Sequence, residues 1–150
     1  MRNTIVAVLL LTLYACGSNR SYYHYEHIDN DGWRHNDTIT FCIPPQTAGT
    51  YHAALCMRTT KVFPYSSITL RMITSILPTN VQKTEKVWCY VYDKEGNPHG
   101  KTGVSSSEIS FPLKDIQLNV NDSVTIKIHH CMKRESIPGI TDIGISLTAE

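Results

Sequence analysis

The sequence predicts an all-β protein: an antiparallel β-sandwich of about seven short strands, preceded by a lipoprotein signal peptide and a tether. Three observations support this prediction. Apolar residues alternate with polar ones over several stretches, turn-forming residues separate those stretches, and no amphipathic helical stretch of useful length is present. Alternation with a period of two is typical of strands that bury one face. Several such strands joined by polar turns favour a sandwich.

Four stretches show this alternation, and a fifth is apolar throughout. The alternating stretches are 38–43, 68–72, 124–129 and 143–148. In each of them, isoleucine, leucine, valine, methionine or phenylalanine occupies every second position. The fifth stretch, Val-Trp-Cys-Tyr-Val-Tyr at 87–92, is apolar or aromatic on both faces. This pattern predicts a central strand or a strand whose outer face is covered.

Turn-forming residues separate the predicted strands. Proline, glycine, asparagine and aspartate recur at 44–45, 78, 93–98, 119–122 and 138–139. These residue types favour turns, because they supply a fixed or a positive φ angle or a side chain that bonds nearby amides. The stretch 112–118 is predicted to form one short helical turn. With no internal repeat, residues 36–150 are predicted to form a single sandwich domain.

The first fifteen residues have the organisation of a secretory signal peptide. A basic residue precedes an apolar stretch at 5–13 that is too short to cross a bilayer, which takes roughly 20 helical residues. Leu13 and Ala15 flank the cleavage position in Leu-Tyr-Ala-Cys, which resembles a bacterial lipobox. Residues 1–15 are therefore predicted to be a lipoprotein signal peptide, and Cys16 the lipidated first residue of the mature protein. The alternatives are an ordinary cleaved signal that leaves Cys16 free and a buried N-terminal helix.

Residues 16–35 are predicted to be the lipidated N-terminus and a tether, because no sustained period is visible there. The aromatic content of this segment suggests that its far end docks on the domain. Two of its histidines, His24 and His27, are three residues apart. Since no third ligand is near in sequence, a solvated tether is a better interpretation of this pair than a metal site.

The charge of the mature chain is balanced. Removing residues 1–15 takes away one basic residue of 14, which leaves 13 basic and 13 acidic residues. A balanced surface provides no electrostatic reason to expect nucleic acid as a partner, or to expect binding to anionic lipid. Membrane attachment is therefore expected through covalent fatty acyl chains such as palmitate, several of which together hold a protein firmly.

Four cysteines remain in the mature domain after Cys16 is set aside. In an oxidising compartment they can form two disulfides, and four cysteines allow three pairings. Alternatively they are small apolar fillers on strands. No CxxC motif is present, so neither a metal nor a cofactor is expected. The four residues are Cys42, Cys56, Cys89 and Cys131.

The densest cluster of potentially reactive groups is His129-His130-Cys131. Adjacent residues of a strand point to opposite faces, so the two histidines are not expected to share a metal ion. A catalytic Cys131 would need a histidine beside it in space and an orienting partner. Sequence adjacency does not supply that geometry, and no catalytic residue is predicted.

Several stretches resemble the gliding-motility lipoproteins called GldH. The segment 132–145, Met-Lys-Arg-Glu-Ser-Ile-Pro-Gly-Ile-Thr-Asp-Ile-Gly-Ile, is similar to that family's closing signature. The segment 57–68, Met-Arg-Thr-Thr-Lys-Val-Phe-Pro-Tyr-Ser-Ser-Ile, is similar to its arginine followed by an aromatic-Pro-Tyr-Ser motif. Trp33, the 37–41 segment and the 93–100 turn occur in the expected order.

The resemblance implies a component of the Bacteroidota cell envelope that is associated with gliding and type IX secretion and is not an enzyme. It implies other envelope proteins as partners. Residues 17–25 lack the acidic pattern that sends many lipoproteins of this phylum to the cell surface, which favours a periplasm-facing position at the outer membrane. The alternative function is glycan binding by a sandwich that uses the aromatic residues Trp88, Tyr90 and Tyr92.

Other residues carry weaker hypotheses. Two Asp-[Ser/Thr]-apolar triplets make Thr38 and Ser123 candidate O-glycosylation sites, although both triplets also suit ordinary turn-to-strand junctions. Arg58 is expected either on a partner-docking corner or in an ion pair, whereas Tyr65 is expected to pack at a strand end. Asp142 is expected to bond turn amides rather than a cation, which would need several more oxygen ligands.

Overall fold

The computed structural model describes residues 21–150. The predicted signal peptide, with Leu13 and Ala15, and the predicted lipidation site Cys16 lie outside the described residues. Twelve strands and no helix are present in the described part of the chain. The strands are β1 (Ser21–His27), β2 (Trp33–Arg34), β3 (Ile39–Ile43), β4 (Gly49–Thr59), β5 (Ser67–Leu77), β6 (Val81–Tyr90), β7 (Lys101–Thr102), β8 (Ser107–Pro112), β9 (Ile116–Leu118), β10 (Ser123–His130), β11 (Ser136–Ile137) and β12 (Ile140–Ala149).

The strands form two antiparallel sheets that face each other. The six-stranded sheet has the order β1-β12-β4-β8-β7, with β9 also paired to β4. The four-stranded sheet has the order β3-β10-β5-β6, and β2 and β11 form a small separate ribbon. The chain crosses repeatedly between the sheets, which is the arrangement of a jelly roll. The predicted antiparallel sandwich is confirmed, with eight longer strands and four of two or three residues rather than about seven.

One hydrophobic core fills the space between the two sheets. Phe41, Leu70 and Ile126 enter it from the four-stranded sheet, and Leu55 and Ile145 enter it from the six-stranded sheet. Each of these side chains is at most 1% exposed. Burying one side chain of this size stabilises the fold by about 1.5–3 kcal/mol. The alternation seen in the sequence is therefore the alternation between core and surface.

The second half of the predicted tether is part of the folded domain, as its aromatic content suggested. Residues 21–27 form β1, which pairs with β12 from Ser21–Thr148 to His27–Asp142. Trp33, which also lies in the predicted tether, is only 1% exposed. The sequence Ser-Tyr-Tyr-His-Tyr-Glu-His hides this strand, because both of its faces carry aromatic or polar side chains and no apolar alternation results.

Two further predictions about local structure are wrong. Residues 116–118, within the predicted helical turn, form β9, whose backbone pairs with the first residues of β4. The apolar stretch 87–92 is not in a central strand. It lies largely in β6, which is at the edge of the four-stranded sheet. Trp88 and Tyr90 are 59% and 63% exposed on its outer face.

Candidate functional site at one end of the sandwich

Three connecting segments meet at the same end of the sandwich: 60–66 after β4, 91–100 after β6, and 103–106 between β7 and β8. We call this end the groove end. β1 begins at the opposite end, because its first residue pairs near the C-terminus of β12 and its last residue pairs with Asp142. Asp142 in turn pairs with Arg58, the next-to-last residue of β4, and this part of β4 lies toward the groove end.

Two stretches that are far apart in the sequence contact each other at the groove end. The amide of Thr60 donates a hydrogen bond of 2.8 Å to the carbonyl of Gly139. Gly139 has a φ of +81°, and a Cβ there would overlap the backbone nitrogen of Phe63. Only glycine meets both conditions without strain. The segments 57–68 and 132–145, which carry the sequence resemblance, are therefore one structural unit.

A groove with a volume of about 610 Å³ opens between the three segments. Its aromatic wall consists of Phe63, Tyr65 and Tyr92, whose rings pack together with centroids 5.9 Å apart for Phe63–Tyr65 and 6.3 Å apart for Phe63–Tyr92. Hydroxyl groups form much of the opposite side, from Thr102, Ser105, Ser106 and Ser107. A concave apolar surface with a few convergent polar groups is the usual composition of a binding site.

The floor of the groove includes a buried hydroxyl group that has no partner. Thr59 lines the groove and is 1% exposed. Its Oγ1 makes no hydrogen bond to any described residue. An unpaired buried hydroxyl costs about 1–3 kcal/mol, so native structures seldom keep one without a reason. The hydroxyl is closed to solvent in the free protein, so a partner atom could bind it only if the groove opened.

The rim of the groove includes the 93–98 turn, and Asp93 fixes its shape. The Asp93 Oδ1 accepts hydrogen bonds from the amides of Glu95 at 2.9 Å and Asn97 at 2.8 Å. The Asn97 amide is the main reason that the pKa of Asp93 is lowered. Because its carboxylate is engaged in this turn, Asp93 shapes the rim and is not a free acid.

A cluster of aromatic and charged side chains lies next to the groove end on the outer face of the six-stranded sheet. Arg58 Nε donates a hydrogen bond to Glu108 Oε2 at 3.0 Å, and its guanidinium lies 4.1 Å from the centroid of the Tyr25 ring. Tyr23 donates its hydroxyl to Glu108 Oε1 at 3.1 Å. Arg58 lowers the pKa of Glu108, and burial raises the pKa of Tyr25. We call Tyr23, Tyr25, Arg58 and Glu108 the tyrosine–arginine cluster.

A family model described as GldH lipoprotein matches residues 20–147. The chain belongs to the GldH lipoprotein family. It is thus a lipoprotein of the gliding-motility type, with a membrane-anchored location in the cell envelope. The stretches that carry this relationship lie mainly toward the groove end, where the 57–68 and 132–145 segments meet. No curated protein matches the chain.

Solved structures similar to this GldH-family chain share little of its sequence. A family 35 carbohydrate binding module from an environmental isolate is 17% identical, with a TM-score of 0.40, and the match covers 83% of this chain and 73% of that one. Eiger TNF from S. frugiperda is 11% identical, with a TM-score of 0.36, covering 87% and 93%. The subviral particle of infectious bursal disease virus is 12% identical, with a TM-score of 0.38, covering 86% of this chain and 30% of the viral one.

The two histidines of the 129–131 cluster point to opposite faces of β10, as predicted. His130 is fully buried, and its Nε2 lies 3.1 Å from the carbonyl oxygen of Trp33. Its Nδ1 has no partner among the described residues, and burial lowers its pKa. His129 is half-buried on the outer face. Within residues 21–150, no group of three or more histidine, cysteine, aspartate or glutamate side chains is placed to hold a metal ion.

The four cysteines of the domain are free thiols in the structure. They lie apart in the fold: Cys56 belongs to the six-stranded sheet, Cys42 and Cys89 belong to β3 and β6 at the two edges of the four-stranded sheet, and Cys131 follows β10. Cys42 faces solvent and Cys89 is buried in the core. None of the possible disulfides is formed among the described residues, and Cys56 and Cys89 occupy buried positions, as in the filler alternative.

The two candidate glycosylation residues differ in accessibility. Thr38 is exposed just before β3, whereas Ser123 is half-buried at the start of β10. The preceding Asp122 is 3% exposed, and its Oδ2 accepts a hydrogen bond of 2.9 Å from the Asn119 amide. The second triplet therefore has a structural role in a turn, and Thr38 is the better-placed acceptor. Glycosylation of either residue stays a prediction.

The structure also decides between the alternatives for three single residues. Arg58 forms the ion pair, with Glu108, although it lies near a corner that suits docking. Tyr65 packs against Phe63, as predicted. The prediction for Asp142 is wrong, because its carboxylate lies 3.3 Å from His27 Nδ1 on the sheet surface and bonds no turn amide. Its place inside β12 directs the side chain away from the preceding turn.

Sequence reasoning missed several residues of the site. Tyr23 and Tyr25 fall in the predicted tether, because β1 has no alternation of apolar and polar residues that would mark it as a strand. Thr59 looks like any strand threonine, so its lack of a partner is visible only in three dimensions.

No helix among the described residues is long and apolar enough to span a bilayer.

Proposed function

We propose that this GldH-family lipoprotein is a non-enzymatic docking subunit of an envelope assembly that serves gliding motility or type IX secretion. In this proposal it is anchored in the outer membrane through Cys16 and faces the periplasm. The observation that carries the proposal is the meeting of the 57–68 and 132–145 segments at the groove end, beside an open groove with an unpaired buried hydroxyl.

The position of the anchor gives the domain an orientation. Five residue steps separate Cys16 from Ser21, the first residue of β1. They span at most roughly 18 Å when fully extended. The eleven residues of β4 extend the sandwich by about 33 Å in the direction of the groove end. A lipid on Cys16 would thus hold the β1 end near the membrane and point the groove end toward partners in the periplasm.

The test is purification of the full-length lipoprotein in detergent from its own envelope. The matched variants are the Tyr65→Ala/Tyr92→Ala double substitution in the groove wall and Val120→Ala in the exposed 119–122 turn at the other end of the sandwich. We expect a defined set of envelope proteins to accompany the wild type and the Val120 variant and to be lost from the groove variant. Circular dichroism checks that each variant is folded.

Two results would contradict the proposal. One is a wild-type protein that purifies without envelope partners under conditions that keep other envelope complexes intact. The other is a Cys16→Ser protein that is soluble in the periplasm and restores the function of a deletion strain completely. The second result would show that the anchor does not place the domain beside its partners.

A second candidate function is glycan binding. The specific observation in its favour is that two of the three candidate rings, Trp88 and Tyr90, are exposed and lie on the same face of β6. Tyr92 does not join them, because it lies past the end of β6 and packs against Phe63 in the groove wall. Binding of an acidic polysaccharide such as polygalacturonate to the face that carries these two rings would support this candidate.

A further inference from the structure

The outer face of the four-stranded sheet has an unbalanced set of charges. We call it the cationic face. It carries Arg71, Lys86 and Lys127, all exposed, and none of its strand residues is an aspartate or a glutamate. By contrast, the cations Arg58 and Lys83, whose side chains lie off this face, form ion pairs with glutamates. The strand residues of the cationic face are Thr40, Cys42, Ser67, Thr69, Arg71, Ile73, Ser75, Leu77, Gln82, Thr84, Lys86, Trp88, Tyr90, Ser123, Thr125, Lys127 and His129.

Three basic side chains form a row across this face. Arg71 pairs directly with Lys86 on β6 and directly with His129 on β10. Like charges that lie opposite each other on neighbouring strands destabilise a sheet. Neither Arg71 nor Lys86 forms an ion pair with any described residue. The arrangement thus costs stability in the free protein and would be stabilised by an anionic group bound across the row.

Two large aromatic side chains follow Lys86 along β6 toward the groove end. Trp88 pairs with Thr69, and Tyr90 pairs with Ser67, so both rings stand on the same face as Lys86. The sequence pattern of this strand predicted a covered outer face, and the structure leaves it open. Tryptophan, tyrosine and arginine are the residues most enriched at the centres of protein interfaces. This surface therefore has the composition of an interface that lacks its partner.

The backbone of β6 offers a place for that partner. β6 pairs with β5 on one side and with no described strand on the other. At the first half of β6, Lys114 forms an ion pair with Glu85, with 3.5 Å between Lys114 Nζ and Glu85 Oε1. The second half, 86–90, is open at the edge. An unpaired strand edge can bind an extended peptide through its main chain, while alternate side chains of the peptide reach the face of the sheet.

We propose that the edge of β6 binds an extended acidic segment of a partner protein as a fifth strand. Every second side chain of that segment would lie on the cationic face, with carboxylates near Lys86 and Arg71 and an apolar or aromatic residue on Trp88. Edge lysines also protect strands from aggregation. That role accounts for Lys86, but it does not account for Arg71 on the inner strand β5 or for two exposed aromatic rings. The surface is distinct from the groove, so the proposal goes beyond the function proposed above.

The test uses the full-length lipoprotein in detergent and a fluorescent peptide of alternating glutamate and threonine. Fluorescence anisotropy measures binding up to about 1 mM peptide, which is the range for a weak single interaction. Two other probes are polygalacturonate and the same peptide with every backbone amide N-methylated. N-methylation keeps the carboxylates but removes all the backbone N–H donors that an added strand needs. Hydrogen exchange reports protection of 86–90.

The variants separate this surface from the groove. Arg71→Glu/Lys86→Glu reverses two charges on the cationic face, and Lys61→Glu/Lys94→Glu makes the same charge change at the groove rim. We expect the glutamate–threonine peptide to bind the wild type and the rim variant, and to bind the face variant at least about tenfold more weakly. Lys86→Gln should weaken binding while leaving the protein at least as stable as the wild type, because a like-charge contact is removed.

Three results would overturn the proposal. Equal binding of the N-methylated peptide would exclude strand addition. Binding of polygalacturonate but not of the peptide, with the same dependence on Arg71 and Lys86, would assign the face to glycans. If neither the peptide nor polygalacturonate binds, the cationic face does not bind an anionic partner and the proposal is wrong. None of these results bears on the groove, which the co-purification experiment tests separately.

Discussion

The guanidinium of Arg58 lies 4.1 Å from the centroid of the Tyr25 ring while its Nε donates to Glu108. This contact ties β4 to the edge strand β1, which the sequence did not reveal. We expect Arg58→Ala to destabilise the protein by about 1 kcal/mol, because it removes a cation–π contact and a partly exposed ion pair together. Urea unfolding followed by circular dichroism measures the change in the free energy of unfolding.

Arg34→Ala is the matched control for Arg58→Ala. The Arg34 side chain is 63% exposed and lies 3.6 Å from the exposed carboxylate of Asp31. Such a pair contributes little, so the control should change stability by less than about 0.5 kcal/mol. Equal effects of the two substitutions would show that the tyrosine–arginine cluster adds nothing beyond an ordinary surface ion pair.

Gly139→Ala is expected to destabilise the protein far more than Gly96→Ala. Both glycines have a positive φ, of +81° and +85°, so both substitutions carry the same backbone strain of about 1–2 kcal/mol. A Cβ at residue 96 meets open space, whereas one at 139 overlaps the backbone of Phe63. The additional cost should be at least about 2 kcal/mol. Thermal unfolding of the two variants tests this, and similar melting temperatures would contradict the close contact between the two segments.

Acid is expected to destabilise the protein through His130. Burial lowers the pKa of His130 below its ordinary value of 6.5, with the neighbouring His35 and His129 acting in the same direction and Asp37 opposing. Below pH 6.5 the unfolded chain therefore binds more protons than the folded one, so this contribution to stability is lost as the pH falls. Glutamine at 130 keeps an amide near the Trp33 carbonyl but does not ionise. His130→Gln should flatten the loss of stability between about pH 8 and pH 5.5.

His52→Gln provides a control with the opposite sign. Asp115 raises the pKa of His52, which is exposed and 3.0 Å from that carboxylate. Its contribution to stability is therefore present at low pH and is lost as the pH rises. His52→Gln should therefore make the loss of stability on acidification slightly steeper, whereas His130→Gln should make that loss shallower. The measurement is urea unfolding at a series of pH values, and parallel curves for the wild type and His130→Gln would contradict the prediction.

The cysteines should react with a thiol reagent in an order set by burial. Burial raises the pKa of Cys89 to about 12, and the thiolate is the reactive form of a cysteine. Cys42 is exposed on β3. In the reduced protein we expect Cys42 to be alkylated first, and Cys56 and Cys89 only on unfolding. Peptide mass spectrometry after timed labelling measures this order. Early labelling of Cys89 would show that the core opens near β6.

The fold was predictable from the sequence wherever a strand has one face exposed to solvent and the other buried in the core. The alternation at 124–129 and 143–148 identifies β10 and β12, because both strands pack one face on the core. It does not identify β1, whose Tyr23 and Tyr25 lie among charged and small neighbours on the outer surface, with Tyr23 56% exposed. It misplaces β6, because two apolar faces predict a covered strand but carry no information about the order of the strands in the sheet.

The candidate site was less predictable than the fold. The sequence resemblance identified the 57–68 and 132–145 segments, but only the structure shows Gly139 against Phe63. The row of His129, Arg71 and Lys86 depends on strand register, and register is set by turns and long-range pairing. The lack of a partner for Thr59 Oγ1 is a property of all the atoms around it. No local sequence pattern contains that information.

Thr59→Val is expected to stabilise the free protein and to weaken its function. Valine has nearly the shape of threonine, so the substitution removes the unpaired buried hydroxyl and keeps the packing of β4. The gain should be about 1 kcal/mol, since burial of an unpaired polar group is avoided. Thr60→Val is the control, because the Thr60 hydroxyl accepts a hydrogen bond from the Val62 amide at 3.4 Å and is not fully buried. Urea unfolding measures stability, and co-purification of envelope proteins measures function. A Thr59→Val protein that is more stable but loses its partners would show that the hydroxyl is kept for binding. A Thr59→Val protein that is more stable and retains all its partners would show that the groove floor does not take part in docking.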